Sequence, residues 1–356
     1  MKGYLVLEDG TVFKGMPFGF TEDVVGEVVF STGMTGYQES LTDPSYCGQI
    51  LVSAYPLIGN YGVNRMDSQS PRVQVRGHVV REACDAPSHR DSHQTLDGFL
   101  KGSGVPGIHG VDTREIIRRI RDRGTMMGGL TTGDPQEMLE RVRASEHPEA
   151  SNLVSMVSTR EVQRYARPGA RKVVVIDCGV KENILVELRE RFEVVQVPYD
   201  ATAETIRSLE PDGIFITNGP GNPAHPEMLS RTVATLSRLK EEYPMMGICL
   251  GNQLLALTLG ARTFKLKFGH RGINQPVRFE GRVLITSQNH GFAVDRGSAE
   301  DAGLDVTFTN LNDGTVEGLR HRELPIFSIQ FHPEAHAGPL DANFLFDRFK
   351  DMLEGP

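Results

Sequence analysis

Gly247-Ile248-Cys249-Leu250-Gly251-Asn252-Gln253 places one cysteine between two glycines. An apolar run (Met245, Met246, Ile248) leads into it, and an apolar helical pattern (Leu254, Leu255, Leu257, Leu259) leaves it. Strand, sharp elbow, helix is the G-x-C-x-G layout, with sulfur in place of the more common serine oxygen. So tight a turn has no space for side chains flanking the nucleophile, which accounts for both glycines. The helix N-terminus under the sulfur favours its anionic form. The same five residues also suit a buried cysteine on a glycine-flanked turn, so the rest of the chain must decide.

The surrounding half of the chain reads as α/β. Residues 172–176, 193–197, 213–217 and 244–248 form apolar strands. Helical patterns at 181–191, 203–209 and 226–243 separate them. Fully apolar strands alternating with helices imply a parallel sheet covered on both faces. Beyond residue 262 the pattern is one of shorter, alternating strands and a final helix near 341–353. Ligands of open α/β sheets bind at the C-terminal strand ends. Cys249 lies at one such end, and Asn218-Gly219-Pro220-Gly221-Asn222-Pro223 at another. The second loop lacks the G-K-[ST] ending of a phosphate-binding loop. It suits either a tight turn or the presentation of backbone N–H groups to an oxyanion.

The first half differs. Residues 4–7, 26–30, 49–54 and 73–80 read as strands, and a helix begins at the N-cap Asp112. The arginines of that helix fit a solvated face. A polar, Pro/Gly-containing stretch at 164–171 reads as a linker. The expected domains are therefore 1–163, mixed α/β and strand-rich, and 171–356.

A net charge of −8 and a pI near 5.8 argue against nucleic acid as a partner. No apolar run approaches the roughly 20 residues needed to span a bilayer. Cys47, Cys84, Cys178 and Cys249 are widely spaced, without C-x-x-C. That excludes a disulfide framework or zinc ribbon and leads to the expectation of a cytoplasmic protein with no metal site.

A thiol nucleophile needs a base, usually histidine, held by a third group. Two of the eleven histidines share the tetrapeptide His-Pro-Glu-Ala, at 147–150 and 332–335. His147 sits among polar residues before the linker. His332 follows Pro325-Ile326-Phe327-Ser328-Ile329-Gln330-Phe331, a buried strand in the same domain as Cys249. Glu334 can turn back to accept the imidazole N–H. Context thus selects His332.

Together the Cys249 elbow, the Gly219-Pro220-Gly221 loop and Phe331-His332-Pro333-Glu334-Ala335 resemble the class I (triad-type) glutamine amidotransferases. The N-terminal half narrows the resemblance to the small-subunit family of carbamoyl-phosphate synthetase. It does so through Gly26-Glu27-Val28-Val29-Phe30, Met34-Thr35-Gly36-Tyr37-Gln38-Glu39, Leu41-Thr42-Asp43-Pro44-Ser45-Tyr46 and Tyr55-Pro56-Leu57-Ile58-Gly59-Asn60. Gly110-Val111-Asp112-Thr113-Arg114 and Asn289-His290-Gly291-Phe292-Ala293-Val294 extend it end to end.

The resemblance implies a flavodoxin-like amidotransferase domain and an N-terminal domain that docks a partner. It implies Cys249 as nucleophile, His332 as base and Glu334 as its orienting group. Backbone N–H groups of Gly219 and Leu250 would form the oxyanion hole. Ser45, Gly219, Gly221, Leu250, Gln253, Asn289, Gly291 and Phe292 would contact L-glutamine. The implied partner is the synthetase large subunit, which would carry ATP, Mg and bicarbonate; no cofactor is expected in this chain. Cys47, His109 and His336 depart from the family pattern, and residues 84–104 are its least typical stretch. A glutaminase for another synthetase would match only the second half. A non-catalytic module on the same fold would be expected to lose the cysteine.

Overall fold

Residues 2–355 are described in the computed structural model, and the chain divides into two units, Met1–Ser151 and Asn152–Pro356. The division falls before the expected linker at 164–171. That stretch is instead a turn inside the second unit. Its first residues lie in the strand Gln163–Tyr165, which pairs antiparallel with Glu193–Pro198, and the Thr159 N–H donates to Asp177 Oδ2 at 2.7 Å.

In chain order the strands of the first unit are β1 (Gly3–Leu7), β2 (Val12–Gly19), β3 (Val24–Ser31), β4 (Gln49–Ser53), the two-residue β5 (Leu57–Ile58), β6 (Gly77–Val79), the two-residue β7 (Glu82–Ala83), β8 (Pro106–His109) and β9 (Met126–Thr131). Seven close into a barrel in the order β1-β2-β8-β6-β4-β3-β9, and closure leaves no free edge. The β3–β4–β6–β8 neighbours are parallel and the other pairs antiparallel. The helix Thr113–Arg123 starts where expected, Asp112 Oδ1 accepting the Glu115 N–H at 3.0 Å. Two of its arginines, Arg119 and Arg123, pair with Asp9.

The second unit holds one ten-stranded sheet. Its strands are β10 (Gln163–Tyr165), β11 (Lys172–Asp177), β12 (Glu193–Pro198), β13 (Gly213–Ile216), β14 (Met245–Ile248), β15 (Thr263–Phe279), β16 (Arg282–Val294), β17 (Leu304–Asn310), β18 (Val316–His321) and β19 (Ile326–Ile329). The parallel core runs β12-β11-β13-β14-β19. Numbered within that core, this is the 2-1-3-4-5 order of flavodoxin-like folds. Val173 and Val175 of β11 join one buried cluster with Phe346 and Phe349, while Val174 and Ile176 join another with Leu236 and Leu254. Successive side chains point to opposite faces, so a strand buried on both must be apolar throughout.

Between β14 and β19 the chain inserts β15 to β18, which extend the sheet antiparallel. The pattern predicts short strands here, but β15 spans 17 residues and β16 spans 13. Register shifts between Lys265 and His270 and between Gly272 and Gln275 interrupt the alternation, so one long strand reads as several. The helical stretch expected at 226–243 comes as Pro226–Met228, a π segment Leu229–Val233 and Ala234–Leu239. Among the described residues no helix is long and apolar enough to cross a membrane, and all four cysteines are unpaired.

Candidate active site

Cys249 caps the helix Leu250–Thr258 with φ 56° and ψ −103°, a left-handed conformation that a non-glycine residue adopts only at a cost. The elbow is held from both sides. Its N–H donates to Ile329 O of β19 at 2.8 Å, and the Gly251 N–H donates to Thr217 O at 3.0 Å. A Cβ at Gly247 would lie 2.6 Å from the Gly251 backbone, and one at Gly251 would lie 2.2 Å from Ile216 O. Both flanking positions therefore exclude any side chain, as the tight turn requires.

The Gly219 loop is stitched to the neighbouring strand end. The Cys178 N–H donates to Thr217 Oγ1 at 2.9 Å, and the Lys181 N–H donates to Asn218 Oδ1 at 3.2 Å. A Cβ on Gly219 would meet Cys178 O at 2.0 Å, so this backbone too must be bare. Gly221 turns the loop with φ 89°. The Leu250 N–H opens the helix, where no carbonyl lies four residues back in the helix to accept it.

His332 follows β19, and its N–H donates to Ser287 O at 2.9 Å, tying it to β16. Its Nδ1 lies 2.7 Å from Glu334 Oε1. The same oxygen accepts from Lys181 Nζ at 2.8 Å, and Lys181 also donates to Ala335 O at 2.9 Å. His332, Glu334 and Lys181 are all buried. Burial works against the charged imidazole, but the Glu334 carboxylate outweighs it and raises the His332 pKa to about 10. Burial likewise works against the Glu334 charge, and Lys181 and then His332 overcome it, lowering the pKa to about 2. The Cys249 side chain contributes to the upward shift of His332, while His332 Nε2 has no hydrogen-bond partner among the described residues. The thiol and imidazole are thus neighbours without a closed hydrogen bond, a common looseness where no substrate is bound.

The 289–292 segment of β16 completes the surroundings. Cys249 Sγ lies 3.6 Å from Asn289 O. Phe292 O accepts from Gln253 Nε2 at 2.9 Å, and Gln253 Nε2 also reaches Gln330 Oε1 at 3.1 Å. Gly291 lies against Arg271, whose Nη2 would be 3.4 Å from an added Cβ. The second unit therefore brings Cys249, His332 and Asn289 together, with Gln253 and Phe292 bonded to each other beside them. Ser45 belongs to the first unit, buried in the turn Pro44–Tyr46 with its N–H donating to Asp43 Oδ1 at 2.8 Å. The duplicate histidine, His147, is also in the first unit, where Nδ1 accepts the Glu149 N–H.

The chain matches two family models: the carbamoyl-phosphate synthase small chain, CPSase domain, over residues 5–130, and glutamine amidotransferase class-I over residues 174–352. It is 51% identical to the carbamoyl phosphate synthase small chain of Methanopyrus kandleri, covering 99% of each chain. The chain belongs to the carbamoyl-phosphate synthase small-chain family. It is also 52% identical to the small chain of Archaeoglobus fulgidus, over 99% of each chain. To the pyrimidine-specific small chain of Halalkalibacterium halodurans it is 50% identical, over 99% of this chain and 98% of that one. A solved Thermoplasma acidophilum protein, described provisionally as part of a GMP synthase, overlays with a TM-score of 0.44 at 22% identity. That overlay spans 53% of this chain and 94% of the other.

Two participants leave little trace in the sequence. Lys181 begins a helix, where a cation opposes the helix dipole, and that misplaced charge is the available signal. Gln330 anchors both Asn252 and Gln253, and nothing in its local sequence marks it.

Proposed function

We propose that this chain is the glutamine-hydrolysing subunit of a carbamoyl-phosphate synthase, delivering ammonia to a separate large subunit. Membership of the small-chain family supports the role. The observation that carries the chemistry is Cys249 on a left-handed elbow at the end of β14, beside an imidazole bonded to a buried carboxylate at the end of β19. In this reading His332 Nε2 takes the thiol proton and Cys249 Sγ attacks the side-chain amide carbon of L-glutamine. Glu334 stabilises the imidazolium so formed, and its effect on the His332 pKa is in that direction. The Gly219 and Leu250 N–H groups receive the developing oxyanion. Collapse breaks the C–N bond, and the proton on His332 passes to the departing ammonia. Water, giving its proton to His332, then cleaves the thioester and releases glutamate.

Ser45, Gly221, Gln253, Asn289, Gly291 and Phe292 are assigned to holding the glutamine. The first unit, found in this family and not in amidotransferases generally, is assigned to docking the large subunit. ATP, Mg and bicarbonate chemistry belongs to that partner, in the cytoplasm, and the glutamine half-reaction needs no cofactor here. The product serves pyrimidine or arginine synthesis. The test is glutamine hydrolysis by the chain on its own and with its large subunit, together with labelling by a glutamine-analogue electrophile. Slow hydrolysis by the lone chain, acceleration in the complex and labelling on Cys249 are expected. An assembled complex in which Cys249 resists labelling overturns the reading.

A further inference from the structure

The antiparallel extension encloses a polar cluster that the glutamine chemistry does not use. His270 on β15, His290 on β16 and Glu317 on β18 each present one ligand atom, all within 4.8 Å of one another. His270 Nδ1 lies 3.4 Å and His290 Nε2 3.9 Å from Glu317 Oε1. Ligands at 2.0–2.1 Å from a tetrahedral ion stand roughly 3.3 Å apart, so little adjustment is needed.

The far nitrogen of each ring is held. His270 Nε2 lies 2.8 Å from Asp313 Oδ2, and His290 Nδ1 lies 2.7 Å from Phe292 O. Metal-binding imidazoles are held this way, donating the remote N–H to a carboxylate or carbonyl. A carbonyl only accepts, so the His290 proton sits on Nδ1 and Nε2 keeps its lone pair. Yet the neighbour of Nε2, at 3.2 Å, is another acceptor, Gln288 Oε1. Gln288 is fixed in that orientation because its Nε2 donates to Thr286 Oγ1, whose own proton goes to Gln275 O. Glu317 is fully buried; Oε1 accepts from Asn310 Nδ2 at 2.9 Å, which also lies 3.4 Å from His270 Nδ1, but Oε2 has no partner among the described residues.

We propose that His270 Nδ1, His290 Nε2 and the Glu317 carboxylate bind a divalent transition-metal ion, with Gln288 Oε1 facing its fourth position. Two imidazoles and a carboxylate suit zinc. The cation turns the contact between His290 Nε2 and Gln288 Oε1 into shared coordination and balances the buried Glu317 carboxylate. It departs from the expectation of a metal-free chain because its ligands come from three strands and form no sequence motif. His290 stands between Asn289 and Gly291, so the ion would position the strand beside Cys249 and take no part in proton transfer.

The test uses the full chain carrying Cys249→Ser, so that the active-site thiol cannot bind metal. Chelator-stripped protein is titrated with zinc against a chromophoric competitor, and metal is counted by mass spectrometry. One zinc per chain and a zinc-dependent rise in Tm are expected, with His270→Asn and Glu317→Gln losing stoichiometric uptake. Asp313→Asn removes only the partly exposed carboxylate behind His270 and should fold; zinc should bind it about 10–100-fold more weakly. The proposal is overturned if stripped protein takes up no zinc at micromolar concentration, the cluster then being neutralised by protons alone. It is equally overturned if Asp313→Asn and Glu317→Gln bind zinc as the parent does.

Discussion

Lys181 Nζ donates to Glu334 Oε1 at 2.8 Å, and both side chains are buried. Because the same oxygen meets His332 Nδ1, one buried carboxylate balances two cations. Removing one partner of a buried pair leaves an uncompensated charge, which costs about 3–5 kcal/mol. Lys181→Met should therefore lower unfolding free energy by about that amount in chemical denaturation, far more than an exposed lysine would. A loss under about 1 kcal/mol would mean that Glu334 is adequately held by His332 alone.

The pair of His332 and Glu334 makes stability depend on pH in a defined direction. The folded His332 pKa, about 10, is above its ordinary 6.5. Its contribution is full below pH 6.5 and fades as pH rises through 10. The folded Glu334 pKa, about 2, is below its ordinary 4.5. Its contribution is full above pH 4.5 and fades as pH falls through 2. Both are complete between pH 4.5 and 6.5. Denaturation midpoints across pH, compared between wild type and the His332→Ala, Glu334→Ala double variant, should differ most in that window. A difference that grows steadily towards alkaline pH contradicts the ion pair.

For catalysis, Cys249→Ala and His332→Ala should each reduce glutamine hydrolysis on the order of 10⁴-fold or more, without adding when combined. Glu334→Ala should cost roughly 10–100-fold less than His332→Ala, since an orienting group is partly dispensable. With Glu334 gone, burial dominates the imidazole, so the pKa seen in kcat/KM should move down. Ammonia-dependent synthesis by the assembled enzyme should survive all three changes; its loss would place this chain in the second half-reaction.

Gly251→Ala forces a methyl to within 2.2 Å of Ile216 O, and Gly219→Ala forces one to within 2.0 Å of Cys178 O. Backbone lies on both sides of each contact, so neither can yield by a side-chain rotation. Both variants should melt lower, with an expected cost of about 1–3 kcal/mol or more. Gly260→Ala is a poor control because of its own positive φ. Gly102→Ala, in a helix with open space around it, should leave the Tm nearly unchanged or slightly raised.

The parallel core was legible because burial on both faces demands uninterrupted apolar strands such as Val173–Ile176, and the nearness of His332, Glu334 and Cys249 because they sit at strand ends with stiff local motifs. The barrel was half hidden. In β2, Gly15 and Pro17 imitate a turn, and in β9 Gly128 and Gly129 do the same. Yet Gly129 is glycine because Met138 Sδ would stand 2.2 Å from a Cβ there, a packing demand made by the helix Pro135–Ala144 that folds back over the strand. Lys181, Gln330 and the His270–His290–Glu317 cluster were invisible for a related reason. Each acts across strands, and single-strand patterns carry no trace of a partner far away along the chain.

Cys249 and His332 hang from the fourth and fifth parallel strands, whereas Asn289, Gly291 and Phe292 belong to the segment inserted between them. In the proposed reading, bond-making and part of the recognition thus lie on different stretches of polypeptide, which meet at the bridge between Ser287 and His332 and at the hydrogen bond from Gln253 to Phe292 O. A lineage could remodel the inserted hairpin for a different amide while its nucleophile and base stay untouched. The bonds from Ser287 to Ala337 O and from Gln253 to Phe292 O are the attachments such a change would have to keep, and the rest of the hairpin is the target for redirecting this scaffold in the laboratory.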